Sequence, residues 1–262
     1  MSDVSLGALF AKRFGDVPHL PENLAQNETL RRLAARASCR HFTAEPVDEP
    51  LLQALCAAAL CAPSKSDLQQ RDILIVTDPE LLAALKSLLS AQDWIADAPA
   101  MVVFLANNRR QRQIQQQHDQ PFPNDHLDAF FNASLDAGIA LAFFMVAAEG
   151  AGLGCCPIST IRNHLQEVAK LLHLPDHVFP VAAMGLGHPA PAVAINPRLS
   201  LAHTVHKNRF SDTPKQGIEA YDKRRLGDTS GIGWSAAKAK MYAVPQRMDF
   251  GTFIRSIGFK LD

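Results

Sequence analysis

HLDAFFNASLDAGIALAFFMVAAEGAGLGCCPISTIRN, residues 126–163, is the stretch that decides the fold. In its first half Asp128, Asn132 and Asp136 recur every four residues, which places them on one face of a helix. Residues 137–148 carry no polar side chain, and a helix that is apolar all round is buried. Because this run is shorter than the roughly 18 residues that a membrane span needs, we predict a core helix of a soluble protein.

The segment after this helix is glycine-rich and leads into a short apolar run. We expect the helix to end at Glu149-Gly150, where a glycine takes the left-handed conformation, and residues 155–158 to form a strand. A dinucleotide-binding fingerprint needs a strand before the glycines and a helix after them, so this order excludes it. The glycines are either a plain helix-to-strand turn or the start of a binding segment. In the second interpretation, Ile158-Ser159-Thr160 is an exposed hinge with free backbone N–H groups.

Composition and charge describe an ordinary globular protein. Of the 262 residues 47% are hydrophobic, and 26 basic residues balance 26 acidic ones. A neutral chain argues against nucleic acid or an anionic membrane as the main partner, so we predict neither. Five cysteines without a C-x-x-C spacing suit a reducing compartment, and the N-terminal apolar run is too short for a signal peptide. We therefore expect a cytoplasmic protein.

Helical and strand patterns alternate along the rest of the chain, which predicts an α/β or α+β domain. The absence of an Asn-Gly or Asp-Gly hairpin signal argues against an all-β fold. Caps and apolar stripes predict helices over residues 28–37, from Asp48 to before Pro63, from Asp78 to Leu89, and over 163–173. Apolar runs predict buried strands over residues 72–76, 99–105 and 178–186.

Two polar regions interrupt this alternation. Residues 107–125 are glutamine-rich with clustered arginines, and we interpret them as a mobile surface excursion rather than a nucleic-acid patch. From Ala190 onward the chain has fewer apolar runs and no strong period. Because such a tail cannot hold a core alone, it must lie on the main body or on a second subunit.

The chemistry must come from scattered polar groups, because familiar catalytic motifs are missing. There is no H-E-x-x-H or Cys/His cluster, no G-x-S-x-G elbow and no Walker A loop, so we predict no metal site and no side-chain nucleophile. A dianionic phosphate needs two or more cations, a polyol needs hydroxyl and amide partners, and a planar polar ring suits backbone N–H groups. Those needs describe FMN, and the chain supplies them with Arg36, Ser38, Arg40, Ser64, Ser66, Gln92, Asn196, Arg198 and the backbone of residues 158–160.

In this order and spacing, these pieces resemble the nitroreductase-like FMN flavoproteins, most closely the branch of NADPH-dependent nitroreductases and flavin reductases. The resemblance covers residues 29–210. It rests on RASCRHF (36–42), APSKSDLQ (62–69), QDWIADAPAMVVF (92–104), GLGCCPISTIRN (152–163), PVAAMGLGHP (180–189) and NPRLSLAHTVHKNRF (196–210). More faintly, AYDKRR (220–225) and RSIGFKLD (255–262) also resemble that branch.

The resemblance implies an α+β fold with a mixed central β-sheet flanked by helices and a long buried central helix. It also implies a homodimer with the flavin at the subunit interface. Residues 1–28 would be an N-terminal extension, residues 29–210 the FMN-binding domain, and residues 211–262 a C-terminal extension that packs on the body or on the partner subunit.

By position, the resemblance assigns each piece a role around FMN. Arg36, Ser38 and Arg40 would hold the phosphate and the N1/C2 side of the ring, and Arg198 would close the phosphate site. Two positions depart from the family pattern, since Ala37 and Asn196 stand where basic residues are usual, and both remove positive charge. The remaining assignments are Ser64 and Ser66 on the flank of the flavin, Gln92 at the ribityl chain or ring edge, and Pro157, Ile158, Ser159 and Thr160 along the ring near N5.

The implied reaction is a ping-pong transfer of hydride from NADPH or NADH, through flavin N5, to a small planar acceptor such as a nitroaromatic, a quinone or a flavin. Arg40, near N1/C2, would favour the reduced anion. NADPH would be preferred if residues 223–225 or the arginines at 109–112 bind its 2′-phosphate. Two alternatives stay open: a non-catalytic flavin- or nucleotide-binding module, and another reaction on the same fold, such as reductive dehalogenation.

Overall fold

The computed structural model describes residues 4–190 and 194–262. Its contacts divide the chain into two compact units, one from the described parts of Met1–Ala37 and Val193–Gln246, the other from those of Ser38–Ala192 and Arg247–Asp262. The helices are α1 (Leu6–Phe14), α2 (Glu28–Ala35), α3 (Glu49–Leu60), α4 (Pro79–Leu88), α5 (Arg109–Gln117), α6 (Leu127–Gly150), α7 (Leu165–Leu171), α8 (Lys215–Leu226), α9 (Trp234–Tyr242) and α10 (Phe250–Ser256). The strands are β1 (Arg71–Val76), β2 (Ala100–Asn107), β3 (Gly154–Ile158) and β4 (Val178–Gly187).

The second unit is built on a four-stranded sheet in the order β1-β2-β4-β3. Each pairing among the described strands is antiparallel, with Ile73 opposite Phe104 and Cys156 opposite Gly185. The prediction of a mixed sheet is therefore corrected to an antiparallel one. An apolar run in a sequence indicates a buried strand but not its direction, because direction depends on how the connecting helices return the chain.

Strand β2 lies at the centre of the core, with both faces covered. Val102 and Phe104 point into one apolar cluster with residues of α3 and α6. Met101, Val103 and Leu105 point into a second cluster with residues of α4 and α7. The alternation follows from the two-residue period of a strand, and it confirms the predicted sheet flanked by helices.

Helix α6 has the predicted bounds and a central place, but it is buried on one side only. Phe144 lies in the core beside Phe104, their ring centroids 5.5 Å apart. On the other side Phe131, Leu135 and Phe143 are 57%, 46% and 44% exposed. An apolar composition all round carries no directional signal, so the sequence could not tell the covered face from the uncovered one.

By length and composition α6 could cross a membrane. Its packing against β2 and the burial of the polar Asn132 and Asp136 instead identify a core helix. The left-handed glycine after the helix is Gly152, with φ +85°, and not Gly150, which is the last helical residue.

The polar segment 107–125 contains a helix, α5, that the sequence analysis did not predict. Helix α5 is held by tertiary contacts: Arg110 pairs with Asp72 at 2.5 Å, and Arg112 pairs with Asp125 at 2.5 Å. Gln111 is buried. A helix without an apolar stripe has no periodic signal, so this segment was wrongly interpreted as an excursion.

The first unit contains α1, α2, α8 and α9, and Leu6, Leu9 and Ala34 form a small apolar cluster in it. Helix α10 belongs to the second unit, where Phe253 packs in one cluster with Phe179. The three-part domain division at residues 28 and 210 stays a prediction.

Candidate functional site

Arg13, a residue that the sequence analysis did not single out, organises part of the predicted phosphate site. Its guanidinium donates to the main-chain oxygens of Ala34 at 2.9 Å, Arg36 at 2.5 Å and Asn196 at 3.0 Å. The N–H of Arg198 donates to the carbonyl oxygen of Arg13 at 2.6 Å. Arg13 thus brings together Arg36, Asn196 and Arg198, which lie far apart in the sequence. No local pattern marks it, since a lone arginine on an amphipathic helix is normally exposed.

A cavity of about 530 Å³ in the same unit is lined by Arg198 together with Arg225, Tyr221 and Trp234. The rings of Tyr221 and Trp234 meet edge to face with centroids 5.1 Å apart. Arg225 donates to the Tyr221 hydroxyl at 3.0 Å, and that hydroxyl donates to the carbonyl oxygen of Pro197 at 3.1 Å. Aromatic surface and guanidinium groups are thereby combined in one concave surface, which suits a planar ligand that carries an anionic group.

In the second unit, residues 38–40 lie beside the first residues of β3. The N–H of Cys39 donates to the carbonyl oxygen of Cys155 at 3.0 Å. Arg40 is exposed, and its guanidinium carbon lies 6.0 Å from the ring centroid of Trp94. The indole N–H of Trp94 donates to Oε1 of Gln92 at 3.0 Å. The structure therefore brings Arg40 and Gln92 together around Trp94.

The residues 157–160, which the sequence assigned to the flavin ring, end an edge strand and begin a short 3₁₀ helix, Ser159–Asn163. Ile158 is fully buried, so the expected exposed hinge is wrong at that position; Ser159 is exposed. The side chain of Ile158 points into the hydrophobic core, because successive side chains of a strand point to opposite faces of the sheet. Gly185 accommodates this packing, since a Cβ there would lie 3.0 Å from Trp94 and 3.6 Å from Ile158. The Trp94 group and residues 157–160 are thus neighbours.

Thr160 carries a polar atom that the folded chain leaves unsatisfied. Its Oγ1 is buried, and among the residues that the structure describes it has no hydrogen-bond partner. Leaving a buried hydroxyl without a hydrogen-bond partner costs free energy. Binding of a ligand whose polar group reaches this hydroxyl would therefore be favoured. A ligand with hydrogen-bonding groups beside this segment would be compatible with the orphaned hydroxyl.

Two arginines outside the predicted set lie at the same segment: Arg162 belongs to it, and Arg247 donates to it. Arg247 donates to Oδ1 of Asn163 at 2.8 Å and to the carbonyl oxygen of Ser159 at 3.4 Å. Arg162 donates to the carbonyl oxygen of Val181. Burial, and then the charge of Arg247, lower the pKa of Arg162 from its ordinary value. The 3₁₀ segment therefore lies in a positive field that neither the spacing nor the motifs indicated.

Ser64 and Ser66 lie in a loop between α3 and β1 with an unusual backbone. Ser66, Asp67 and Gln69 have φ values of +49°, +56° and +52°. Non-glycine residues rarely adopt this region, at a cost of about 1–3 kcal/mol each, and they keep it only where neighbouring structure holds them. The Ser64 hydroxyl accepts a hydrogen bond from the N–H of Gln69 at 3.1 Å, and Ser66 is exposed.

Asp136, on the polar face of α6, holds this loop. Its Oδ1 accepts the N–H of Lys65 at 2.9 Å, and its Oδ2 accepts the N–H of Gln70 at 3.0 Å. Its side chain is fully buried. The structure therefore links the two serines to α6, whereas Arg40 and Gln92 are linked to Trp94.

Within residues 4–190 and 194–262 no three His, Cys, Asp or Glu side chains form a group that could hold a metal ion. Burial raises the pKa of the Cys56 thiol to about 11, which keeps it protonated and unreactive.

Comparison with known proteins identifies the fold. The nitroreductase family model matches residues 33–188, and the model of the nitroreductase C-terminal domain matches residues 196–262. The chain belongs to the nitroreductase family. This nitroreductase is 32% identical to the FMN reductase [NAD(P)H] of Bacillus subtilis over 247 residues, which cover 90% of the chain and 99% of that relative. It is 34% identical to the oxygen-insensitive NADPH nitroreductase of Salmonella typhimurium, over 75% of the chain and 80% of that relative.

Solved structures agree with this nitroreductase assignment. NfrA2 of B. megaterium superimposes with a TM-score of 0.85 at 32% identity, covering 90% of the chain and all of that structure. The NADPH:FMN oxidoreductase from Vibrio harveyi, complexed with NAD⁺, gives 0.81 at 29% identity, covering 88% and 98%. The predicted family and fold are confirmed, and the predicted class of flavin-dependent NAD(P)H oxidoreductase agrees with the names of these relatives.

Proposed function

We propose that this nitroreductase-family protein is an FMN-dependent NAD(P)H oxidoreductase that reduces small planar acceptors such as nitroaromatics, quinones or flavins. Bound FMN supplies hydride transfer at N5, so no side-chain nucleophile is needed. The observation that carries the proposal is the joining of scattered motif residues: Arg13 ties Arg36 to Asn196 and Arg198, and Trp94 ties Arg40 to Gln92.

The chain's residues bind and orient the cofactor. Arg36 and Arg198 bind the phosphate, where two guanidinium groups match its charge and geometry. Arg40 and Gln92 bind the ring edge, with Arg40 favouring negative charge at N1/C2. The site is completed by Ser38 beside the phosphate, Ser64 and Ser66 on the flank, and Pro157, Ile158, Ser159 and Thr160 along the ring, where the Thr160 hydroxyl gains a partner.

Arg13 offsets the charge lost at the two unusual positions. Ala37 and Asn196 lack the positive charge that the family pattern has there. The buried guanidinium of Arg13 donates to the carbonyl oxygens of Arg36 and Asn196, and so adds a cation beside both positions. In the low dielectric of the interior this charge acts over a longer distance than a surface charge.

The functional unit is a homodimer with the flavin at the subunit interface. The uncovered face of α6 presents Phe131, Leu135 and Phe143 to solvent in the single chain. Phe210 and Tyr242 in the C-terminal region are also exposed. Large apolar side chains exposed along one face of a helix mark a protein interface, and a second copy of this chain is the partner. The dimer is cytoplasmic.

NADPH is the preferred donor, because the cavity lined by Arg225, Tyr221 and Trp234 offers a guanidinium group for its 2′-phosphate and aromatic surface for its adenine. The arginines of α5 are less suited to this role, since Arg110 and Arg112 pair with carboxylates.

Steady-state kinetics test the function. With NADPH and a quinone varied together, a ping-pong enzyme gives parallel double-reciprocal lines. A protein that keeps its FMN but turns over neither NADPH nor NADH would be a binding module instead.

A further inference from the structure

None of the flavin contacts assigned above involves Asp136, a buried carboxylate on α6. Asp128 and Asn132, two turns and one turn earlier on the same face of α6, bind each other, with Nδ2 of Asn132 donating to Oδ2 of Asp128 at 2.6 Å. Asp136 instead reaches out of the helix to another part of the chain. It accepts the N–H groups of Lys65 and Gln70, which lie at the two ends of the loop that carries the left-handed residues.

The opposite side of the loop is held by α5 and the residues just before it. Nε2 of Gln111 donates to the carbonyl oxygen of Leu68 at 2.7 Å, and Arg110 donates to that of Gln69. The N–H of Asn107 donates to the carbonyl oxygen of Gln70 at 2.9 Å. The backbone N–H groups of the loop thus donate to a buried carboxylate on one side. On the other side its carbonyl oxygens accept hydrogen bonds from amide and guanidinium groups.

We propose that Asp136 is a positioning residue for cofactor binding: its buried carboxylate, opposed by Gln111, holds residues 64–70 in the strained conformation that presents Ser64 and Ser66 to FMN. The inference rests on the proposed function of these serines. A carboxylate suits the task because it accepts two hydrogen bonds and donates none. An asparagine would turn an N–H₂ group toward one of the two backbone N–H groups, and that end of the loop would lose its partner.

The test compares FMN binding by folded apo-proteins. Asp136→Asn should raise the Kd for FMN about tenfold, a change equal to about 1.4 kcal/mol. Asp128→Asn is the matched control, because it makes the same chemical change on the same helix face at a carboxylate that accepts its hydrogen bond from Asn132, and its Kd should stay within twofold of the wild type. Gln111→Met, near-isosteric but without the amide donor, should raise the Kd about threefold. Ser66→Ala reports separately on whether the loop contacts FMN.

The outcomes separate the proposal from its premise. If Asp136 were merely structural, Asp136→Asn would lower the midpoint of thermal unfolding and leave the Kd of the folded protein unchanged, which would overturn the proposal. A Kd raised by Ser66→Ala but not by Asp136→Asn also overturns it, while the flavin assignment stands. If neither change matters, the loop lies outside the site and the assignment of the serines fails as well. If Asp136→Asn does not fold, Gln111→Met decides, and an unchanged Kd for that variant counts against the proposal.

Discussion

Substituting methionine for Arg13 should weaken the binding of FMN much more than the binding of riboflavin, which lacks the phosphate. The Arg13 side chain lies on α1, is 5% exposed, and donates hydrogen bonds of 2.5–3.0 Å to three main-chain oxygens. Two of these oxygens belong to Arg36 and Asn196, in the segments assigned to the phosphate. Methionine occupies a similar volume but donates no hydrogen bond.

The size of the effect follows from these contacts. A hydrogen bond to a charged group contributes about 1.5–3 kcal/mol. Because three are lost together from a buried position, we expect the free energy of unfolding of this unit to fall by about 4.5 kcal/mol or more. If the equivalent of one bond, about 1.5 kcal/mol, is lost from the ordered phosphate site, the Kd for FMN rises roughly tenfold.

Fluorescence titration of the apo-protein measures the Kd for FMN and the Kd for riboflavin. It is done at a temperature where circular dichroism shows that the variant is folded. Lys12→Met is the control, since Lys12 precedes Arg13 on the same helix and is exposed. An equal loss of affinity for FMN and riboflavin would refute the assignment of Arg13 to the phosphate site. So would an unchanged affinity for FMN.

Three further changes test other parts of the account. Arg40→Ala should weaken FMN binding and slow flavin reduction by NADPH about tenfold in stopped-flow measurements; unchanged flavin content and rate would remove Arg40 from the site. Arg112, through its hydrogen bond, holds the pKa of Asp125 below its usual 3.8, so this carboxylate stabilises the fold fully above pH 3.8 and loses that effect as the pH falls further. Thermal midpoints of Asp125→Asn and wild type should therefore differ at pH 7 and converge in acid; a constant difference argues otherwise. Leu135→Glu should give a monomeric mass by light scattering and reduced FMN content, whereas a stable dimer would place the interface elsewhere.

The elements that could be predicted are those whose local sequence pattern, such as a cap or an apolar run, matches their surroundings in the folded chain. Helix α6 combines an apolar run with polar residues on one face, so its bounds could be predicted closely. Helix α4 has a capping residue, Asp78, whose side chain accepts the N–H of Leu81 at 2.7 Å. Strand β2 is apolar on both faces because it is buried on both.

Other features depend on long-range contacts and left no local trace. Helix α5 is stabilised by pairs such as Arg110 with Asp72, which lie 38 positions apart in the sequence. Arg13 meets Asn196 across 183 positions. Periodicity reports only on neighbouring residues, so neither contact could be predicted.

The site residues were predicted from motifs, and the structure explains some of them better than others. Arg40 and Gln92 are joined by Trp94, and Arg36 and Arg198 by Arg13. The strain at Ser66 has no counterpart in the sequence, because a serine gives no sign of a positive φ. The motifs therefore predict which residues form the site, but they gave no sign of the buried groups that hold those residues in place.

A visible absorption spectrum of the purified protein, recorded before and after anaerobic addition of NADPH, tests the central claim most directly. We predict a yellow protein with one FMN per chain, whose flavin absorption is bleached by one equivalent of NADPH and restored by a quinone. A colourless protein that takes up no FMN when it is offered would contradict the account, and a yellow protein that NADPH leaves unchanged would contradict its catalytic part.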